Sequence, residues 1–487
     1  MNTSELTRRR THGLAVVAIA LVFGASRIAA YLAGVRFDAT PLTWYWQFID
    51  PGLLRERLLE SLYYLHIQPP LFNLLLGINL KLFPSTFSAA MHAEYMVLGL
   101  TTVIALYVLL VQLGLPAIVS VLIAMLFSIL PPTLLYENWL FYEYPTMTFL
   151  MLAAVALHRF LARDSIPAGV MCFAALAAAI YTRTVFQLIW LIPIIGTLLL
   201  VKPRRLVVKC CVVPVLLVVL LYAKNAMLFG APLTSSWFGL HFTRPTLSQL
   251  DRKTREDLVA SGSLHPISLV DPFSHVAAYA THVPLADPTG IPVLDMTEKV
   301  AGGQNFNAKS YIRIARAYLA EDFSVVRLRP DIYLRSVREA IILFMSPSTD
   351  YVFVDENRTR IYSYDRLFTE RFYLRTQYLA KVGLGIVGAY LFTLGYGLVL
   401  LARLAWERRN PGPARLTILF LVFTILYASA LSCLTEVGEN QRQRFYLDPL
   451  VLAVVAAGMR ALWLSIAGLV RSARASTIRQ AGFAPLS

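Results

Sequence analysis

The residues in this chain best suited to chemistry are a pair of carboxylates, a proline-held histidine and several isolated arginines. Asp38 and Asp50 follow the first apolar stretch, with Trp44, Tyr45, Trp46 and Phe48 between them. An apolar neighbourhood raises a carboxylate pKa and suits the group to accept a proton. Asp38 and Asp50 are therefore candidate general bases, Asp38 being nearer the end of the apolar stretch. A belt of rings at a membrane interface accounts for the same aromatic residues. His66 opens the run His66-Ile67-Gln68-Pro69-Pro70-Leu71. The double proline stiffens the backbone and fits the first turn of a helix. That would hold His66 near a helix N-terminus, where backbone N–H groups can receive phosphate oxygens; a plain capping histidine fits equally.

Glu137 and Glu143 flank Asn138-Trp139-Leu140-Phe141-Tyr142, between two apolar stretches. Carboxylates beside a membrane span are costly unless paired or facing water, so both are candidates to bind a hydroxyl-rich acceptor or a cation. Arg183 has no other basic residue near it in sequence, and a fixed guanidinium suits bidentate contact with phosphate. Lys224-Asn225 offers a second cation and an amide; snorkelling to the headgroups accounts for either cation as well. The last cluster is Glu436, Glu439, Asn440, Arg442 and Arg444. Its acids and arginines can pair with each other, and Arg442 and Arg444 can also neutralise a phosphate leaving group. His241, His265, His275 and His282 have no i,i+3 or i,i+4 partner, so no metal site is read from them. Asn357-Arg358-Thr359 fits the glycosylation pattern, a tripeptide too common to weigh. No Walker loop or dinucleotide fingerprint is present, which argues against nucleotide hydrolysis.

Membrane-spanning elements must position these groups. Of 487 residues 57% are hydrophobic and 15% charged, against about 25% charged in soluble domains. Apolar runs near the length needed to cross a bilayer, about 20 residues, recur along the chain. They predict an all-α polytopic membrane protein with about ten spans, near 13–34, 88–112, 116–134, 144–162, 165–181, 184–201, 206–228, 379–404, 414–433 and 446–468. The net charge is +15, from 44 basic and 29 acidic residues. Much of that excess lies in short loops (Arg8-Arg9-Arg10, His158-Arg159, Lys202, Arg204-Arg205, Arg408-Arg409, Arg471), where it sets orientation, so nucleic acid is not the expected partner. Alternating spans put these clusters and both termini inside, and every candidate site residue outside. The first span is longer than a signal h-region and lacks a cleavage site, so it reads as retained. Residues 52–84 read as one or two interfacial helices. Residues 229–378 contain no spanning run, carry an amphipathic helix near 308–320, and divide the chain into 1–228, a segment of about 150 residues covering the site, and 379–487. The four cysteines (Cys172, Cys210, Cys211, Cys433) suggest neither disulfides nor zinc.

A carboxylate after the first span, a His-x-x-Pro-Pro-Leu element and a Glu in the next outer turn resemble the GT-C glycosyltransferases. More narrowly they resemble the protein mannosyltransferase and aminoarabinose transferase branch, which uses polyprenyl-phosphate sugars. Tyr181-Thr182-Arg183, Lys224-Asn225 with Phe229-Gly230, and Glu439 to Phe445 add to the likeness. The chain departs from it where Ile67-Gln68 interrupts the His-Pro-Pro element and where Ala39, not Glu, follows Asp38. The resemblance implies inverting transfer, at the outer face, from a polyprenyl-phosphate sugar to a lipid, glycan or protein acceptor. Asp38 or Asp50 would be the base. Arg183, Lys224 and Arg442 or Arg444 would steady the leaving phosphate, with His66, Glu137, Glu143, Asn225 and Glu439 lining the site. Such enzymes differ in whether they need a divalent cation. Membrane lipids are further partners, and the absence of a disulfide pattern and targeting signal points to a bacterial inner membrane. The rival readings are a lipid-linked oligosaccharide polymerase or ligase, which would lean on Arg and His, and a transporter, which would place its charges near the midplane.

Overall fold

A computed structural model describes residues 3–369, 373–375, 381–407 and 411–481, with the backbone alone at 3–9, 373–375, 381, 407 and 473–481. Arg408-Arg409 and the expected boundary at 378/379 lie outside the described residues, as do the side chains of Arg8 and Arg9. The chain is an all-α integral membrane protein. Among the described residues seven helices are long and apolar enough to span, or eight if a bent pair counts as one span: Arg10–Leu32, Phe87–Gln112, Glu143–Arg163, Arg204–Phe229, Leu384–Trp406, Pro413–Thr435 and Asp448–Ser472. The runs behind the expectation of about ten differ from these helices at three places. The run at 116–134 is two helices, Ala117–Ile129 and Pro131–Glu137, bent by 56°. Pro131-Pro132 causes the break, because a residue before proline is driven out of the helical region and Leu130 lies at φ −58°, ψ 139°. The runs at 165–181 and 184–201 form helices of 17 and 14 residues, Ile166–Thr182 and Leu188–Val201. At 1.5 Å per residue these are about 26 and 21 Å long, short of a full crossing.

Helix Glu143–Arg163 is the centre of the bundle, with 72% of its apolar window buried against 22% for Leu384–Trp406. Outer helices leave rows of large apolar side chains uncovered, among them Leu14, Leu21 and Ile28, and Val212, Val213 and Leu216. Such rows face lipid, where apolar surface carries no penalty. The helix ends sort into two sets. At one end His12 Nδ1 meets Tyr107 Oη at 2.6 Å, His158 Nδ1 meets Thr417 Oγ1 at 3.2 Å, and Lys202 pairs with Asp164. All the candidate site residues are at the other.

A pair that sequence reasoning missed locks the first helix to the bent one. Arg27 donates from Nε to Glu137 Oε1 and from Nη2 to Oε2, each at 2.8 Å, and Tyr144 Oη adds a 3.0 Å bond to Oε2. Gly99 makes room for it: a Cβ there would lie 2.2 Å from Glu137 Oε2. With Arg27 and Tyr144 holding the carboxylate, it has no easy retreat. Gly99→Ala is therefore expected to cost about 1–3 kcal/mol, read as a lower unfolding temperature in detergent.

Between the first two long helices lie Pro41–Trp44, Pro51–Glu56, Leu58–Tyr63 and Pro70–Leu82. The stretch expected to hold one or two helices thus holds three, with Pro70 in the first turn of the last. Beyond Phe229 the chain runs through short turns to helices Ser310–Leu328 and Pro330–Phe344. The first buries Tyr311, Ile314, Ala315, Tyr318, Asp322 and Val325, the helical stripe read near 308–320. This segment is bonded to the first loop: Ser236 N–H to His66 O at 2.8 Å, Ser235 Oγ to Ile67 O at 2.6 Å, and Lys299 Nζ to Tyr45 O at 2.5 Å.

Candidate active site

Three helix ends converge on Glu143. It lies in the first turn of Glu143–Arg163, Arg183 caps the C-terminus of Ile166–Thr182 in extended backbone, and Arg442 rides on Asn440–Phe445. Both arginines donate from Nη1 to the same oxygen, Glu143 Oε1, at 2.5 Å. Among the described residues Glu143 Oε2 and Arg442 Nε are buried without a hydrogen-bond partner. Arg183 lies over the rings of Tyr446 (4.5 Å) and Tyr142 (5.2 Å), and Arg442 over Phe141 (4.7 Å) and Tyr351 (5.4 Å). Ring faces partly replace the hydration these cations lose.

The network runs outward from there. Arg442 Nη2 pairs with Glu439, and Arg244 Nη1 reaches Glu436 at 2.7 Å and Glu439 at 3.5 Å. His241 Nε2 also contacts Glu436. Burial alone would raise the Glu439 carboxyl, but Arg442 and Arg244 overcome it and hold the group down at about 2. Burial lowers the His241 imidazole in spite of Glu436.

This network separates two spaces. On one side is a cavity of about 310 Å³ whose wall includes Arg183, Arg442, His241, Glu436, Gln47 and Gln68, with Val185, Leu233 and Leu431 as its apolar part. On the other is a more open cleft of about 520 Å³, lined by Arg244, Glu439, Asp350, Tyr351 and Gln441.

The remaining predicted residues are placed differently. Asp50 caps Pro51–Glu56: its Oδ1 accepts from Gly52 N–H (2.8 Å) and Leu53 N–H (3.3 Å), and its Oδ2 from Val300 N–H (2.9 Å). Both its oxygens are engaged. Asp38 pairs its backbone with the turn that leads to Glu143, through Asp38 N–H to Asn138 O (2.8 Å) and Leu140 N–H to Asp38 O (2.9 Å). Its Oδ1 accepts from Thr40 N–H (2.9 Å) and Thr40 Oγ1 (2.7 Å), and Oδ2 takes no hydrogen bond from the described residues. Neither aspartate lines the cavity or the cleft. Glu137 belongs to Arg27. Lys224 Nζ donates to Leu65 O at 2.8 Å, and Asn225 Nδ2 to Leu233 O at 2.6 Å, bracing the turn after Phe229. Arg444 does not join Arg442. It donates to Phe344 O (2.8 Å), Ser346 O (2.6 Å) and Ser348 Oγ (2.7 Å), beside Asp448, on the wall of a separate cavity of about 360 Å³. Residues two apart on a helix do not share a face.

His66 is buried between Ser236 Oγ (Nδ1, 2.6 Å) and Asn307 O (Nε2, 2.9 Å). A carbonyl only accepts, so Nε2 carries the proton and Nδ1 accepts from the serine. Burial, aided by Lys224, pushes the imidazole from 6.5 down to about 3. The unfolded chain protonates His66 below about pH 6.5 and the folded chain does not. Its contribution to stability is therefore complete above pH 6.5 and declines as pH falls towards 3, by up to about 1.4 kcal/mol per pH unit. His66→Gln is expected to flatten the fall in unfolding temperature between pH 7 and 5.

Sequence reasoning missed Arg27, His241, Arg244, Gln47 and Trp237 as site or support residues. Gln68 had a signal: it is half of the interruption in the His-Pro-Pro element, and it stands on the cavity wall.

No protein-family model and no curated protein matches the chain. Among solved structures it is similar to the oligosaccharyltransferase of Archaeoglobus fulgidus in its apo form, at 14% identity and a TM-score of 0.37. A second similar structure is the AglB oligosaccharyltransferase from the same archaeon, in complex with an inhibitory peptide and a dolichol-phosphate, at 14% identity and a TM-score of 0.41. Each match covers 96% of this chain and 52% of the other, so the chain spans about half the length of those structures.

Proposed function

We propose that the protein is a membrane glycosyltransferase of GT-C type, moving a sugar from a polyprenyl-phosphate donor to an acceptor hydroxyl or amine at the outer face, with inversion. The observation that carries this reading is the sharing of one carboxylate oxygen by Arg183 and Arg442 on the wall of a 310 Å³ cavity. Of the Arg183 guanidinium only Nη1 meets a carboxylate, and Arg442 Nε has no partner. Those N–H groups fit phosphate oxygens, and Val185, Leu233 and Leu431 give the prenyl chain an apolar exit.

In this mechanism the acceptor O–H or N–H loses its proton to Asp38 Oδ2, which requires the acceptor to reach the turn at Asn138 and Leu140, off the walls of the cavity and the cleft. The freed pair attacks the anomeric carbon, and the bond from that carbon to the phosphate oxygen breaks. The phosphate leaves with that bonding pair, and Arg183 and Arg442 stabilise its growing charge. Asp38 is preferred to Asp50 because Asp50 has no free oxygen. Residues 229–378 cap the site, and the 520 Å³ cleft gives the acceptor, whether lipid, glycan or protein, a watery approach. Among the described residues no three His, Cys, Asp or Glu side chains converge to hold a metal, and Glu143, Glu436 and Glu439 are each paired with arginine. No step is routed through a divalent cation. A bacterial inner membrane, with the site on its extracytoplasmic face, is the setting this reading favours.

The test is titration of short-chain polyprenyl phosphate into wild type, Arg183→Gln and Arg442→Gln in nanodiscs. Loss of a charged hydrogen bond is expected to weaken binding about 10- to 100-fold in each variant. Unchanged affinity in both would overturn the assignment of the phosphate site.

A further inference from the structure

Three polar side chains on the cavity wall come from separate parts of the chain and carry buried atoms with no hydrogen-bond partner among the described residues: Gln47 Oε1, Gln68 Oε1 and Trp237 Nε1. Buried polar atoms in folded proteins are nearly always paired, so three on one wall call for an explanation. Fraying does not supply one, because each is held in place. The Gln47 carbonyl accepts from Asn73 Nδ2 at 3.2 Å. Gln68 sits between His66, pinned at both ring nitrogens, and the helix that starts at Pro70. Trp237 N–H bonds to Ser235 Oγ at 3.1 Å, and that hydroxyl in turn bonds to Ile67 O. The indole stacks on Phe306 at 4.9 Å within a cluster that includes Trp46 and Phe273. Phe273 is one of two described non-glycine residues with positive φ, at 70°. Such strain persists only where surrounding packing imposes it.

The three groups share a chemistry. An indole N–H donates, and each side-chain amide offers a donor and an acceptor. None is charged. The charged groups on the same wall are paired with each other: Arg183 with Glu143, Arg442 with Glu143 and Glu439, and Glu436 with Arg244. Beside them the three uncharged side chains give the wall donors and acceptors for hydroxyl groups. A cavity of about 310 Å³ is at the small end of the range of about 300–1,000 Å³ for small-molecule sites.

We infer that Gln47, Gln68 and Trp237 form the subsite that reads the hydroxyls of the transferred sugar. The inference rests on the glycosyltransferase reading above and adds the place where the donor's sugar is recognised. Gln68 then has a purpose in interrupting the His-Pro-Pro element: it puts an amide on the wall beside the ring-locked indole.

The experiment measures binding of short-chain polyprenyl phosphate alone and bearing mannose, glucose, arabinose, galacturonate or aminoarabinose. Wild type is compared with Trp237→Phe, which keeps the ring and removes the N–H, and with Gln68→Leu. Wild type is expected to bind at least one sugar form about tenfold tighter than the bare phosphate. Each variant is expected to lose most of that gain, with affinity for the bare phosphate unchanged. No gain for any sugar form over the bare phosphate overturns the inference, as does a sugar preference that survives in both variants. In those cases the glycosyltransferase reading stands. Failure of every prenyl phosphate to bind wild type overturns both.

Discussion

Asp38→Asn is expected to lower turnover by about 10²–10⁴-fold, the usual contribution of a positioned general base, while leaving donor affinity intact. Asparagine keeps an oxygen for the two Thr40 bonds and leaves the backbone pairing with Asn138 and Leu140 in place. What it removes is a carboxylate oxygen able to take a proton. Asp50→Asn is the control. Asp50 accepts three backbone N–H bonds, two of them from the start of Pro51–Glu56, and asparagine caps helices about as well as aspartate. Its effect should be a modest loss of stability and little loss of turnover per folded molecule. Rate measurements on both purified variants, normalised to folded protein, check this. The opposite pattern would assign the base to Asp50 and make Asp38 a turn residue.

Glu143→Gln is expected to cost about 3–5 kcal/mol of stability, because it leaves two buried guanidinium groups without the anion they share. Arg442 would retain Glu439, whereas Arg183 would have no carboxylate among the described residues. Thermal unfolding in detergent reads the loss. The proposed phosphate site adds a second, more diagnostic effect. A bound phosphate monoester supplies the missing negative charge, so polyprenyl phosphate should raise the unfolding temperature more in Glu143→Gln than in wild type. An equal rise in both would mean that the phosphate sits away from Arg183 and Arg442.

Much of this arrangement was legible in the sequence because a membrane sorts helix ends into two sets. Basic loops give the expectation of which set is inside. Glu143, Arg183, Arg442 and Glu439 then fall on one side although up to 299 residues separate the members of one ion pair. What each group does once there was not legible, because its partner lies far along the chain. Asp50 reads as a free carboxylate until Val300 N–H is seen on its second oxygen. His66 reads as a histidine lining the site near a helix N-terminus until Asn307, 241 residues on, takes both its backbone N–H and its ring. Glu137 reads as a ligand-binding acid until Arg27, inside an apolar run, pairs with it at both oxygens. Arg444 could have been set apart from Arg442 by helical geometry alone, as i,i+2 neighbours point in different directions. The shortfall in spans has a similar cause. Apolar composition at 165–181 and 184–201 gives helices, but their length depends on where Ser165, Arg183, Gln187 and Lys202 cap them.

The most direct measurement of the central claim uses sealed proteoliposomes loaded with polyprenyl-phosphate sugars labelled in both the sugar and the prenyl chain. The glycosyltransferase account predicts that sugar label moves to an acceptor with inverted anomeric configuration while bare polyprenyl phosphate accumulates in step, and that Asp38→Asn stops both. Labelled donor that crosses the bilayer intact, with no polyprenyl phosphate released, would contradict that account and make the protein a transporter.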